Sequence, residues 1–352
     1  MIIRENYEGE HIKQLQNQIH KDPQLIERAL YAMGLLEALA STGLDFIFKG
    51  GSCLMLLLPR ITRLSTDIDI IVAPGTNVKS YIEKASKIFP FISCEEQIRV
   101  GKNNIEKRHF KFTYFSPVRR EYFYILLDIL YEENHYAALD KKEIKNELLL
   151  TEGSNLTVQV PTIDSLLGDK FTAFAPHTTG VPLREKKDME VMKQFYDIWT
   201  LINEHKNFVH VMATYKDVVA SEIGYRGINI TARDVLEDTI ASAIVIGSRG
   251  KSGKDDYPAY VEGIRGLSTH IFTDRFSGET ASYWAASLIY MAACLMTGTP
   301  YQHTKCYDEY IDETLTQTDL RILSKMRKAQ PLQYSYLVKA DRLLKEYRSR
   351  LT

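Results

Sequence analysis

Apolar residues recur along this chain with two periods, and the balance between them shifts near residue 160. From Pro23 to Ala40, Leu25, Ala29, Leu30, Met33, Leu36 and Leu39 fall at helical spacing, and Gly43 closes that stretch. The run Leu44 to Phe48 predicts a strand, the turn Gly50-Gly51-Ser52 follows it, and Cys53 to Leu58 predicts a short apolar helix. A second apolar strand runs from Ile68 to Val72, and Val78 to Phe89 reads as a helix. Phe110 to Phe115 alternates with period two, as a half-buried strand does. Tyr122 to Tyr131 is more continuously apolar, which predicts a central strand, and Leu156 to Val160 predicts a last one before Pro161.

Beyond Pro161 the helical period dominates. Ile163, Leu166, Leu167, Phe171 and Phe174 share one face behind Thr162 as N-cap. Helices are also predicted over 191–202, 234–246, 280–296, 313–329 and 336–350, with a polar Gly-rich loop at 247–257. The expected fold class is α+β, a mixed sheet with flanking helices over residues 1–160 and a mainly helical domain over 161–352. Strand–helix alternation stops too early for a doubly wound parallel sheet.

Composition narrows the function. A formal charge of −1 gives no global basic field, so binding to nucleic acid would have to be local. Local basic candidates are Lys102, Lys107, Arg108, Lys111, Arg119 and Arg120, then Arg184, Lys186 and Lys187, then Arg342, Lys345, Arg348 and Arg350. The four cysteines show no Cys-x-x-Cys spacing, which fits reduced thiols better than zinc or disulfides. The start of the chain reads as lacking a leader, and the most apolar stretch, 281–296, is too short to span a membrane, so a cytoplasmic protein is expected.

The chemistry concentrates in two stretches. In Ser65-Thr66-Asp67-Ile68-Asp69-Ile70, two carboxylates stand two residues apart in a strand and so share a face. Their mutual repulsion calls for a counter-charge, and a hard divalent cation supplies it. Gly50 and Gly51 let backbone approach a phosphate, and the helix start after them offers free N–H groups at Ser52. Asp128, inside Leu126-Leu127-Asp128-Ile129-Leu130, is a third candidate, either a metal ligand or a base. Lys170 could meet phosphate as a point charge; Arg60 and Arg63 flank the turn before the Asp67 strand, where either one could touch a triphosphate or both could be solvated. Asp188 and Asp197 are further candidates. The loop at 247–257 lacks Walker A spacing.

Phe48-Lys49-Gly50-Gly51-Ser52 followed by Arg63-Leu64-Ser65-Thr66-Asp67-Ile68-Asp69 resembles the AbiEii/AbiGii toxin family of nucleotidyltransferases, within the DNA polymerase β-like superfamily. Asp169-Lys170-Phe171-Thr172-Ala173-Phe174 and Lys193-Gln194-Phe195-Tyr196-Asp197-Ile198 support it, although Lys193-Gln194 stand where the family often has Arg-Asp. The resemblance implies a polymerase β-like core with Asp67, Asp69 and Asp128 holding Mg2+ or Mn2+. It implies Gly50, Gly51, Ser52, Arg63, Ser65 and Lys170 on the NTP, with Lys49, Asp188 and Asp197 as further site candidates, and a helical domain that completes the nucleotide pocket. The activity it implies is transfer of NMP to an acceptor hydroxyl, foremost an RNA or tRNA 3′ end, by a toxin with a cognate antitoxin or in phage defence. Nucleotidylation of a protein or small molecule, and a non-catalytic NTP-binding module, stay open at this point.

Overall fold

The computed structural model describes residues 1–97, 106–272 and 275–350; Lys102 of the first basic group lies outside them. The chain divides into two compact units. One is Met1–Thr162 with Thr269–Asp274, and the other is Ile163–Ser268 with Arg275–Thr352.

The first unit is a seven-stranded mixed sheet with helices. In chain order it carries α1 (Gly9–Ile19), α2 (Pro23–Ser41), β1 (Ile47–Lys49), α3 (Gly50–Leu57), β2 (Ile68–Val72), α4 (Lys79–Ala85), β3 (Phe91–Gln97), β4 (Lys107–Ser116), β5 (Glu121–Tyr131), β6 (Leu139–Glu143) and β7 (Thr157–Pro161). The strand order is β3-β4-β5-β2-β1-β7-β6. The β2/β5 and β1/β7 pairs are parallel, and the other four are antiparallel.

Helix α2 begins where Asp22 accepts hydrogen bonds from the N–H groups of Gln24 and Leu25 and Pro23 occupies the first turn. It packs on the sheet through Tyr31, whose ring stacks on Tyr114 with centroids 3.8 Å apart. Glu27 on the same helix is fully buried. It accepts from the Tyr114 hydroxyl at 2.9 Å, the Ser116 hydroxyl at 2.8 Å and the Val118 N–H at 3.1 Å. Alternation in β4 and β5 sends Phe110, Phe112, Tyr114, Ile125, Leu127 and Ile129 into this core. The positions between them face the other way, toward the candidate site.

Three expectations shift. The helix read to Phe89 ends at Ala85: the N–H groups of Lys87 and Ile88 bond three residues back to Lys84 and Ala85, so the chain tightens into turns ahead of Pro90. Strands β3 and β6 carry no apolar alternation and were not expected. Both are edge strands, where charged residues discourage pairing with other chains and little side-chain surface is buried.

The third lies in the helical second unit, formed by α5 (Ile163–Ala173), α6 (Asp188–Glu204), α7 (Phe208–Arg226), α8 (Ala232–Gly247), α9 (Tyr257–Ser268), α10 (Gly278–Thr297), α11 (Met326–Ala329) and α12 (Pro331–Ser349). The helix expected over 313–329 reduces to a 3-10 turn at Arg321–Leu323 and the short α11. Asp341 of α12 takes the N–H groups of Thr316 and Gln317 at 2.8 and 2.7 Å and the Thr316 hydroxyl at 2.7 Å. A side chain thus satisfies donors that a helix would otherwise use. Among the described residues no helix is long and apolar enough to cross a membrane.

Candidate active site

Strand register sets four polar residues in one row across the first unit. Lys49 of β1 pairs with Asp69 of β2, Asp69 pairs with Asp128 of β5, and Asp128 pairs with His109 of β4. Residues directly opposite share a face, and neighbouring strands lie about 4.8 Å apart, so the two carboxylates stand side by side. His109 Nδ1 lies 2.7 Å from Asp128 Oδ1, with the histidine side chain largely covered and the aspartate partly open. One carboxylate oxygen is thereby engaged and the group is held in orientation.

Lys49, Asp69, Lys107, His109, Asp128 and Ile129 line a cavity of about 170 Å³ together with Ile70 and Leu130. On the same face, two residues further along the strands, Ile47, Ile71 and Tyr136 pack with Leu130 and Leu139. That apolar patch makes one wall of the row dry. Lys49 reaches over it, its Nζ 5.9 Å from the centre of the Tyr136 ring.

The glycines are placed by contact with charged groups. Gly50 has φ +79°, a conformation that disfavours any Cβ, and a Cβ there would collide with the Asp69 carboxylate. A Cβ on Gly51 would collide with the Arg63 guanidinium. Arg63 is buried, and its segment is held by a bridge to Ile271 and by the Leu64 N–H donating to the His270 carbonyl at 3.0 Å.

Ser52 is buried in α3. Its hydroxyl donates to the Asp67 carbonyl and shares a 2.9 Å hydrogen bond with the Ser65 hydroxyl. It thus pins the helix start to the strand that carries Asp69. Asp67 stands one residue before β2, half exposed, with Arg28 Nη2 of α2 at 3.4 Å from its Oδ1.

The remaining expected residues lie in the second unit. Lys170 and Asp197 form an ion pair of 2.9 Å, 7% and 0% exposed, and Lys170 Nζ also donates to Gln194 Oε1 at 2.8 Å. Asp188 opens α6, where its Oδ1 accepts the Arg184 N–H at 2.8 Å.

The donor chemistry fits a hard divalent cation. Asp69 and Asp128 offer adjacent carboxylate oxygens, and Mg2+ is commonly held by one or two carboxylates plus water and substrate phosphate. Among the described residues no group of three or more His, Cys, Asp or Glu side chains is gathered as a metal site. Nothing in the local sequence marks His109, because it meets its partner Asp128 across strands. The same holds for Arg28, which reaches Asp67 from 39 positions earlier.

A family model described as nucleotidyl transferase AbiEii toxin, type IV TA system, matches residues 34–276. No curated protein matches the chain by sequence. Two solved structures are similar at 14% identity. JHP933 from Helicobacter pylori has a TM-score of 0.43, with 78% of this chain and 94% of that chain covered. A candidate nucleotidyltransferase from H. pylori has a TM-score of 0.44, with 78% and 96% covered. Scores at this level carry no weight for the chemistry.

Proposed function

The chain belongs to the AbiEii nucleotidyl transferase toxin family of type IV toxin–antitoxin systems, and from that premise we propose that it moves NMP from an NTP to the 3′-terminal hydroxyl of an RNA, with tRNA the first candidate. The observation that carries this reading is the registered Asp69–Asp128 pair beside Gly50 and Gly51, with His109 fixed on one carboxylate.

In this reading Asp69 and Asp128 hold a divalent cation, Mg2+ or Mn2+, with Asp67 at its margin. When bound, that ion offsets phosphate charge and polarises the phosphorus. The backbone at Gly50 and Gly51 packs directly against Asp69 and Arg63 because neither residue has a side chain, which holds the turn beside the carboxylate row, and the free N–H groups opening α3 face anionic oxygen of the triphosphate. Lys49 adds a cation beside the same row. Arg63 and Ser65 support the phosphate-binding turn from beneath, and Ser52 keeps that turn in step with β2.

Asp128, oriented by His109, accepts the proton of the acceptor hydroxyl. The freed oxygen forms its bond to the α-phosphorus as the bridging oxygen between α- and β-phosphorus departs with pyrophosphate. Lys170, Asp188 and Asp197 need no direct contact with substrate in this scheme.

Incubation with each α-labelled NTP in turn, with total tRNA and Mg2+, tests the proposal against Asp69→Asn and Asp128→Asn variants. Label entering RNA with the wild type alone supports it. Equal transfer by either variant refutes the site. Label appearing on protein or on a small molecule refutes the acceptor.

A further inference from the structure

The face that carries Asp128 continues outward along the β4–β5 hairpin, and its side chains change character in order. Register places His109 opposite Asp128, then Lys111 opposite Leu126, Thr113 opposite Tyr124, and Phe115 opposite Tyr122. Same-face positions are roughly 7 Å apart along a strand, so Lys111 lies one step from the site row and Tyr122 about 20 Å from Asp128. The end of this run is open. Tyr122 is 68% exposed and Phe115 51%, with their rings in edge contact at 5.7 Å.

Large aromatic side chains at such exposure cost solvation unless something covers them. Nothing in the core uses them, since the buried residues of both strands are the alternate set. The Lys111 ammonium sits 4.6 Å above the Tyr124 ring, which is backed by the Phe123 ring. That cation is held over the face rather than left to swing. Lys107 lines the site cavity, and Arg120 stands exposed at the hairpin turn with φ +57°. The acidic residue opposite this stretch is Glu95 of β3, registered with Lys111.

We propose that this face is the acceptor track: a single-stranded RNA lies along it, with its bases meeting Tyr122 and Phe115, its backbone passing Lys111, and its 3′ end reaching Asp128. The proposal rests on the nucleotidyl-transfer reading above and adds the surface that presents the acceptor. Three features select this occupant. The spacing suits an extended strand, the Lys111 cation stands between the aromatic pair and the carboxylate row, and the run leads along one face into that row. A double helix would meet the flat face only along its backbone and would leave the aromatic pair uncovered.

The test uses the full chain and a 5′-fluorescein single-stranded oligoribonucleotide of about 8 nucleotides. Binding is read by anisotropy across a salt series, and 3′ extension is read on a gel. Tyr122→Ala and Phe115→Ala are each expected to weaken binding about tenfold, with thermal melting unchanged because both side chains are exposed. Lys111→Ala is expected to weaken binding and to lower the slope of log affinity against log salt by about 0.7. Asp69→Asn is expected to bind normally and not extend.

Track variants that bind and extend RNA like the wild type overturn the track. Duplex RNA that binds as tightly as the single strand, with the same sensitivity to Tyr122→Ala, overturns it as well. Wild type that binds through these residues but transfers no nucleotide to RNA supports the track and refutes the catalytic reading, so the two failures are distinct.

Discussion

Replacing Lys170 with methionine separates two roles for this residue. The substitution keeps the length and apolar stem of the side chain and removes the charge. In the wild type the ammonium meets Asp197 at 2.9 Å and Gln194 at 2.8 Å, and Asp197 is fully buried. Removing one partner of a buried ion pair leaves the other charge uncompensated, at a cost of about 3–5 kcal/mol. At roughly 2–4 °C per kcal/mol for a unit of this size, the melting temperature should fall by about 6–20 °C. The double variant Lys170→Met, Asp197→Leu removes both charges and should recover most of that loss, because an apolar pair of similar volume is often neutral or better. The assay is thermal melting of the wild type, both single variants and the double variant, with NMP transfer measured on each well below its melting point. If Lys170→Met melts with the wild type yet loses transfer, the residue acts on substrate and not as a brace. If the double variant melts no higher than Lys170→Met, the uncompensated-charge account fails.

Gly50→Ala should cost about 1–2 kcal/mol from its left-handed backbone alone, and should lower transfer more than stability because the new methyl displaces the Asp69 carboxylate; wild-type transfer rates would refute the close packing. Glu27→Ala strands two hydroxyls and an N–H in the core and should destabilise the first unit by at least about 3 kcal/mol in a urea melt; a shift under 1 kcal/mol, roughly one ordinary hydrogen bond, would show that water or rearrangement replaces the carboxylate. Burial pushes the Cys294 thiol up to about 12, and burial with Glu95 and Glu96 does the same to Cys94, so both stay protonated until the pH nears that value. At pH of about 8 exposed Cys306 should alkylate faster than either, since the two raised thiols stay protonated and covered and the thiolate is the nucleophile; comparable rates by mass spectrometry would contradict the burial.

The strands that carry the site were legible because each is a compact apolar run, and β1, β2, β4, β5 and β7 lie within a few residues of where periodicity put them. The family resemblance was legible for the same local reason: Lys49 to Ser52 and Arg63 to Asp69 each sit within a few consecutive residues, and the family match covers both. Edge strands β3 and β6 were not legible, since an edge buries too little surface to leave an apolar signature.

What the sequence alone determined is therefore the identity and local spacing of the carboxylates and glycines, because backbone geometry over a few residues depends on side chains close by in the chain. Only the tertiary structure decided which carboxylates meet. Alternation set Asp67 beside Asp69 and the resemblance joined Asp128 to them, and it is the parallel β2/β5 register that sets Asp69 against Asp128, as the β4/β5 register sets His109 against Asp128. Register between distant strands is chosen by the burial of a whole face at once, through α2 on one side and the Tyr136 cluster on the other. No short window of the chain contains that sum. The same holds for Lys170, whose place beside Asp197 follows from how two helices pack rather than from either helix alone.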